Sequence, residues 1–357
     1  MLPPRIYVDE SHLGRHVTGL ERITLELFSA EALAPLPVVP VRSSGGTAGM
    51  IATQTLRLPL LLARDRQAIA LCPGFPPSIP MTLFGRRVIP YIHDSFLLTR
   101  PQDLNWRARR YMAPAFAFAL KRLPFLLVNS QTTRADIARF ARNDAEIALY
   151  RPRIRDVFGI ADLARDRRTP HPSETLRLVA IGTVEPRKDL RAAAAIVAAL
   201  RAAGRPAQLD VIGRFGWGEE TEALKKAPGV TLHGYLEPDA ARAQIAATHA
   251  LISTSKDEGL GLTLLEAQHG GLDVIATDMP VYREVLGASG LLVDSAEPAA
   301  AAAAIIARLA APDALERAAG HALANLKRWN EAAEADHAAL IARLAARIGL
   351  PDPVARR

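Results

Sequence analysis

The sequence holds one cysteine, Cys72, in 357 residues, so no internal disulfide can form. Its neighbours Leu71 and Pro73 fit a packed strand end better than a catalytic thiol. Aromatic residues make up 5% of the chain and show no stacking series, which argues against a nucleic-acid module. No run reaches the 18 or so apolar residues that span a bilayer; the stretch 113–120 ends at Lys121 and Arg122. No Cys/His cluster and no suitably placed Asp-x-Asp offers a metal cage. The glycines Gly213, Gly216 and Gly218 do not form Gly-x-Gly-x-x-Gly, so dinucleotide binding lacks its fingerprint. Charges at Arg5, Asp9 and Glu10 come too early for a signal-peptide core, and the cytoplasm is the default expectation.

What is present is an ordinary folding composition, 49% hydrophobic and 23% charged, in a length that suits two domains. The formal charge of +7 is unevenly spread. Residues 1–165 carry 22 Lys and Arg against 13 Asp and Glu, a balance of +9, and the remainder carries 22 against 24, a balance of −2. The basic half suits an anionic membrane or nucleic acid, and equally a solvated arginine-rich surface.

The C-terminal half alternates short apolar runs with helical stretches. Strands are expected at 176–181, 208–212, 230–235, 250–254, 273–277 and 290–294, with helices at 189–203, from Pro238, and at 261–269. Such alternation means a parallel sheet with right-handed crossovers. The N-terminal half reads the same way, with strands at 6–8, 38–41, 68–71, 88–92 and 125–128 and helices at 20–30, 106–120 and 132–142. Residues 43–49 read as a mobile loop, 159–174 as the linker, and 298–348 as alanine-rich helix. The expected organisation is 1–165, 170–330, and a C-terminal helix 331–357 that packs back on the first domain.

Two constellations carry chemistry. Gly182-Thr-Val-Glu-Pro-Arg187-Lys188-Asp189 follows a strand and precedes a helix. An arginine can chelate two phosphate oxygens and a lysine adds a point charge, so the pair suits a diphosphate, and the helix N-terminus behind it favours the same anion. Glu258-Gly-Leu-Gly-Leu-Thr-Leu-Leu-Glu266 again follows a strand. Gly259 and Gly261 let backbone approach a ligand closely, and two carboxylates there can accept hydrogen bonds from vicinal sugar hydroxyls. Each constellation alone is equally compatible with solvated loop and helix residues.

Together with Val274-Ile-Ala-Thr-Asp278 and Glu284-Val285, these motifs resemble the family 4 (group 1) retaining glycosyltransferases of GT-B fold. The resemblance is close over 176–294 and loose before it. It implies an α/β architecture of two facing Rossmann-like domains with parallel sheets and a cleft between them. It assigns Arg187 and Lys188 to the donor diphosphate, Glu258 to donor-sugar hydroxyls, Glu266 to the ribose, and the amides of Leu260, Gly261 and Leu262 to the phosphates. Gly182 and the loop from Gly213 would lie beside the nucleotide. Gly19, in Thr18-Gly19-Leu-Glu-Arg22, looks like the loop that lets the acceptor domain approach the phosphates, and His93, closing a strand, would touch donor sugar or acceptor. The sequence departs from the family at Thr263, where proline is common, and in the charged pair Lys256-Asp257.

The expectation is therefore a retaining, metal-independent hexosyltransferase. It would have no cofactor beyond a nucleoside-diphosphate sugar, a glycan or lipid-linked glycan as acceptor, no nucleic-acid partner, and a role in bacterial surface polysaccharide synthesis. A non-catalytic subunit that binds nucleotide or glycan is the alternative, and a sugar-nucleotide epimerase suits the two glutamates poorly. The stretch 105–112 mixes Trp106, Arg107, Arg109, Arg110 and Tyr111, as expected of a peripheral contact with the inner face of the cytoplasmic membrane.

Overall fold

The computed structural model describes residues 4–14, 19–100, 106, 108–216 and 218–351. By contacts the chain divides into two units, Met1–Pro152 with Ala332–Arg357, and Arg153–Glu331. Each is built on one six-stranded, wholly parallel sheet.

The first unit runs β1 (Ile6–Asp9), α1 (Gly19–Phe28), β2 (Val38–Val41), α2 (Gly46–Ala52), a wide helical turn (Thr53–Arg57), α3 (Leu58–Arg64), β3 (Ile69–Cys72) and α4 (Ile79–Thr82). It continues with β4 (Val88–Ile92), α5 (Phe96–Thr99), a second wide turn (Ala108–Met112), α6 (Ala113–Arg122), β5 (Phe125–Val128), α7 (Gln131–Ala138) and β6 (Glu146–Leu149). Its strand order is β2-β1-β3-β4-β5-β6. Strands such as Phe125-Leu-Leu-Val128 are buried along their whole length, which a sheet covered on both faces requires. Cys72 is the last residue of β3 and is buried, and that burial pushes its thiol well up, with Asp9 adding to the shift.

Both wide turns precede a proline, Pro59 and Pro114. A proline inside a helix removes one N–H and crowds the carbonyl four residues back. Widening the preceding turn absorbs both defects. The loop expected at 43–49 is thus corrected: it ends at Gly46, where helical structure begins and runs to Arg64. The helix expected at 106–120 is interrupted for the same reason. Its residue Arg107, like 101–105, lies outside the described residues.

The second unit runs β7 (Leu176–Ile181), α8 (Leu190–Ala202), β8 (Ala207–Ile212), α9 (Glu220–Lys225), β9 (Val230–Gly234), α10 (Pro238–Ala246) and β10 (Ala250–Ser253). Then come α11 (Leu262–Gln268), β11 (Asp273–Thr277), α12 (Pro280–Leu286), β12 (Leu291–Val293), α13 (Pro298–Arg308) and α14 (Ala314–Arg347). The order is β12-β11-β10-β7-β8-β9. The winding therefore reverses between β7 and β10, and the crevice at their carboxyl ends is where such sheets bind ligands. On α13, Arg308 grips Asp273 of β11 with two bonds, 2.5 and 2.7 Å.

Alpha-14 is continuous across the division. In its first half, Trp329 sits in the core of the second unit. In its last turns, Asp336 takes Arg151 Nη1 at 2.7 Å and His337 Nδ1 lies 3.3 Å from the Tyr150 hydroxyl, within the first unit. No helix among the described residues is long and apolar enough to cross a membrane.

The division falls after Pro152, upstream of the linker expected at 159–174. That stretch is polar because arginines fasten it, not because it is loose. Buried Arg167 donates to Thr248 O and Gly270 O, both at 2.6 Å, and Arg205 donates to His171 O at 2.6 Å. Burial pushes the Arg167 guanidinium down to about 10, with Asp166 opposing. Ile160 is fully buried in the core of the second unit. Arg167→Ala strips two buried carbonyls of a charged donor, so it should cost about 2–4 kcal/mol and lower the melting temperature by several degrees; an unchanged melt would refute the fastening role.

Candidate active site

Beta-7 ends at Ile181, and Gly182 turns the chain away from the sheet. Beta-8 ends beside it, and the two backbones nearly touch: a Cβ on Gly213 would lie 1.9 Å from Gly182 O. Only glycine fits there, so Gly213 is required by the crossing of two strand ends whatever it does toward a ligand.

From Gly182 the chain runs through Pro186-Arg187-Lys188 as one tight helical turn and reaches Asp189. Asp189 has φ of +46°, a left-handed conformation unusual for a residue with a side chain. Such strain costs about 1–3 kcal/mol and persists where its surroundings hold it. Here Thr254 Oγ1 donates to Asp189 O at 2.8 Å, and Lys256 pairs with the Asp189 carboxylate at 3.1 Å.

The loop after β10 faces this turn across the reversal point. Glu258, its side chain 10% exposed, is held by both cations: Arg187 Nη1 is 2.9 Å from one oxygen, and Lys188 Nζ donates to the other. The Ser255 hydroxyl adds a bond at 2.9 Å. Arg187 also binds Glu185 at 2.9 Å and donates to Asp257 O at 2.9 Å. Burial alone would push the Glu258 carboxyl up, but Lys188 and Arg187 outweigh it and hold it below the usual carboxylate range. Burial likewise opposes the charge on Arg187, and Glu258 with Glu185 more than offsets it.

Gly261, with φ of +79°, starts α11, and a Cβ there would meet the Tyr282 ring at 2.7 Å. Tyr282 is fully buried and its hydroxyl lies 2.7 Å from Ser253 Oγ. The aromatic ring thus sets the height of the glycine loop. Gly182, Lys188, Glu258, Gly261 and Tyr282 line one cavity of about 20 Å³, room for about one water.

Of the residues singled out from sequence, Arg187, Lys188, Glu258, Gly182 and Gly261 come together here. Leu260 and Leu262 flank the glycine, and Glu266 is buried on α11 without lining the cavity. His93 and Gly19 belong to the first unit. His93 Nε2 donates to Pro73 O at 2.6 Å, which fixes the ring proton on Nε2 and leaves Nδ1 as an acceptor; burial lowers its pKa and keeps the ring neutral. Gly19 opens α1, next to residues 15–18 that lie outside the described ones. Tyr282 and the strained Asp189 were not marked by the sequence. Ser253-Thr254-Ser255 carries a signal, three hydroxyls in a row where a strand enters a cleft. Among the described residues no group of three or more His, Cys, Asp or Glu could hold a metal.

Residues 175–311 match the family described as glycosyl transferases group 1. The chain is similar to the group 1 glycosyltransferases over that region. It is 31% identical over 113 residues to the serotype-specific mannosyltransferase WbdA of Escherichia coli, a match that covers 30% of this chain and 14% of that protein's length. It is 25% identical over 262 residues to O-antigen chain mannosyltransferase B of Escherichia coli, covering 68% of this chain and 67% of that one. Its structure resembles sucrose-phosphate synthase from Thermosynechococcus elongatus, with TM-score 0.73, 16% identity, and coverage of 97% and 100%. WaaG, a glycosyltransferase involved in lipopolysaccharide biosynthesis, gives TM-score 0.61, 16% identity, and coverage of 92% and 95%. These structural likenesses establish a GT-B fold.

The Glu258 clamp makes a paired prediction. Glu258→Gln frees both cations, so inorganic diphosphate should raise the melting temperature of the variant more than that of the wild type. Since Glu258 titrates below its ordinary 4.5, its contribution to stability is complete above about that pH and is lost as the pH falls through the lower folded value. The wild type should therefore lose its stability advantage over Glu258→Gln in that acid window. Equal diphosphate shifts in the two proteins would mean that Glu258 does not compete with the anion.

Proposed function

We propose that this chain is a retaining, metal-independent glycosyltransferase of bacterial surface polysaccharide synthesis. It would move a hexose from a nucleoside-diphosphate donor to a glycan or lipid-linked glycan. The observation that carries the proposal is the convergence of Arg187 and Lys188 on one carboxylate, Glu258, at the reversal point of the second sheet. The mannosyltransferase relatives favour mannose as the sugar. HepE of Anabaena, a structural likeness crystallised with UDP-glucose, supports a nucleoside-diphosphate donor.

In this reading the donor diphosphate displaces the Glu258 carboxylate from Arg187 and Lys188. Glu258, released, accepts hydrogen bonds from the sugar hydroxyls, Glu266 serves the ribose, and the amides of Leu260, Gly261 and Leu262 face the phosphates. As the bond between the anomeric carbon and the phosphate oxygen breaks, negative charge grows on the diphosphate, where fixed cations stabilise it most. The acceptor hydroxyl attacks from the face the diphosphate leaves, and the departing phosphate oxygen takes its proton. Configuration is thereby retained. A covalent intermediate through Glu258 is disfavoured, because in this reading its oxygens are taken up by the sugar hydroxyls. His93 and Gly19 would serve the acceptor side, with the neutral His93 ring offering Nδ1 to a sugar hydroxyl.

Arg187→Ala should leave the protein folded and cut turnover at subsaturating donor by about ten- to hundredfold, the equivalent of one lost hydrogen bond to a charged group. Near-normal turnover would sink the assignment. Activity should also persist in excess EDTA. A loss restored by manganese or magnesium would show that the transfer needs a metal.

A further inference from the structure

The amino edge of the first sheet carries a charge cluster that this chemistry leaves unused. Ile69 opens β3, Arg87 precedes β4, Pro124 precedes β5 and Glu146 opens β6. All four line one cavity of about 860 Å³, which the end of α14 also lines through Arg347. That volume lies within the range of ligand pockets, about 300–1,000 Å³. The strands are parallel, so this edge is opposite the one that His93 occupies after β4.

Four arginines, Arg66, Arg86, Arg87 and Arg347, line the cavity against two acids, Asp144 and Glu146. Both acids are already taken. Arg142 grips Asp144 at 2.5 and 2.8 Å and holds its carboxyl below the usual range, with Arg86 adding least. Glu146 pairs with Arg343 and lies 3.9 Å from Arg347. Arg66 and Arg86 are exposed and make no ion pair or side-chain hydrogen bond among the described residues. The other two are set in place. Arg87 donates through Nη1 to Leu62 O at 2.8 Å and Asp65 O at 2.9 Å, and it lies over the Phe84 ring at 5.0 Å. Arg347 lies over the Phe125 ring at 4.3 Å and donates to Arg86 O at 3.3 Å. Burial pushes both guanidiniums down. Asp65 opposes this at Arg87 while Arg66 adds to it, and Glu146 opposes it at Arg347 while Arg86 and Arg343 add to it. Like charges therefore crowd one another around this cavity.

We propose that the cavity at the amino edge of the first sheet binds a soluble oligophosphate chain. A guanidinium presents a planar fork of donors that meets phosphate oxygens two at a time. Neighbouring strands stand about 4.8 Å apart, so arginines placed from the start of β3 to the start of β5 are spread over roughly 10 Å. They form a row, and a row of phosphates can meet them all where a lone phosphate or carboxylate cannot. Stacking has already fixed Arg87 and Arg347, so less freedom is lost on binding. A nucleic-acid strand is a poorer occupant, since the Phe84 and Phe125 rings on which bases could stack are covered by guanidiniums. The inference is independent of the donor assignment, which concerns the other unit.

The test is calorimetric titration of the full chain with inorganic triphosphate at about 0.15 M salt. The wild type should bind triphosphate, and orthophosphate at least about tenfold more weakly. Arg66→Ser with Arg86→Ser should weaken triphosphate binding by about tenfold or more. Both side chains are exposed, so the melt without ligand should stay unchanged and separate lost binding from lost folding. Arg187→Ala should retain the binding that this pair loses, which sets the site apart from any anion held by the second unit. Arg139→Ser with Arg155→Ser, exposed arginines outside the cavity, removes the same charge and should leave the affinity as it was. The proposal is overturned if the wild type ignores triphosphate, or if the Arg66 and Arg86 replacements keep full affinity. It is equally overturned if the Arg139 and Arg155 replacements weaken binding as much, since net charge alone would then account for it.

Discussion

One carboxylate, Glu258, holds the candidate active site in shape. It ties the turn after β7 to the loop after β10 across the point where the sheet reverses its winding. Two cations side by side at a strand end would repel each other, and burying a lone carboxylate is costly. Each makes the other tolerable. The surrounding contacts then follow: Ser255 supplies a further donor to Glu258, Thr254 pins the strained Asp189, and Tyr282 supports Gly261 from beneath. A ligand that takes the cations must give this carboxylate a new set of donors, which is what a polyhydroxylated sugar offers.

Much of the second unit could be read from its sequence, for a physical reason. Its strands are short runs of branched aliphatics separated by helices of regular length, and the periods do not overlap. Leu176–Ile181 and Asp273–Thr277 fall where the apolar runs fall. Arg187, Lys188 and Glu258 announced themselves by charge at strand ends. Tyr282 did not, because a tyrosine on a short amphipathic helix reads as ordinary core; its place against Gly261 appears only in three dimensions. The polar stretch 159–174 misled in the opposite way. Arg167 looks like a solvated linker residue in sequence, yet it is spent on two buried carbonyls.

The first unit was harder to read. Beta-6 begins with exposed Glu146 and lies at the sheet edge, so it shows no continuous apolar run. The helical run from Gly46 to Arg64 holds three signals that argue against a helix: glycines at its start, β-branched threonines in its middle and Pro59 near its end. Tertiary packing of Leu58 and Leu62 overrides them. The short helices α4 and α5 are too brief for any period to show.

The three cations gathered around Glu258 and Asp189 are already matched. Arg187 faces Glu185 and Glu258, Lys188 faces Glu258, and Lys256 faces Asp189. Paired charges cast little field beyond about 10 Å at ordinary salt. Under the proposed function, a sugar nucleotide drifting in solution would feel little pull from these matched pairs at a distance. Discrimination between anions would then be deferred to the moment of contact, when a phosphate would have to outbid a carboxylate already in place.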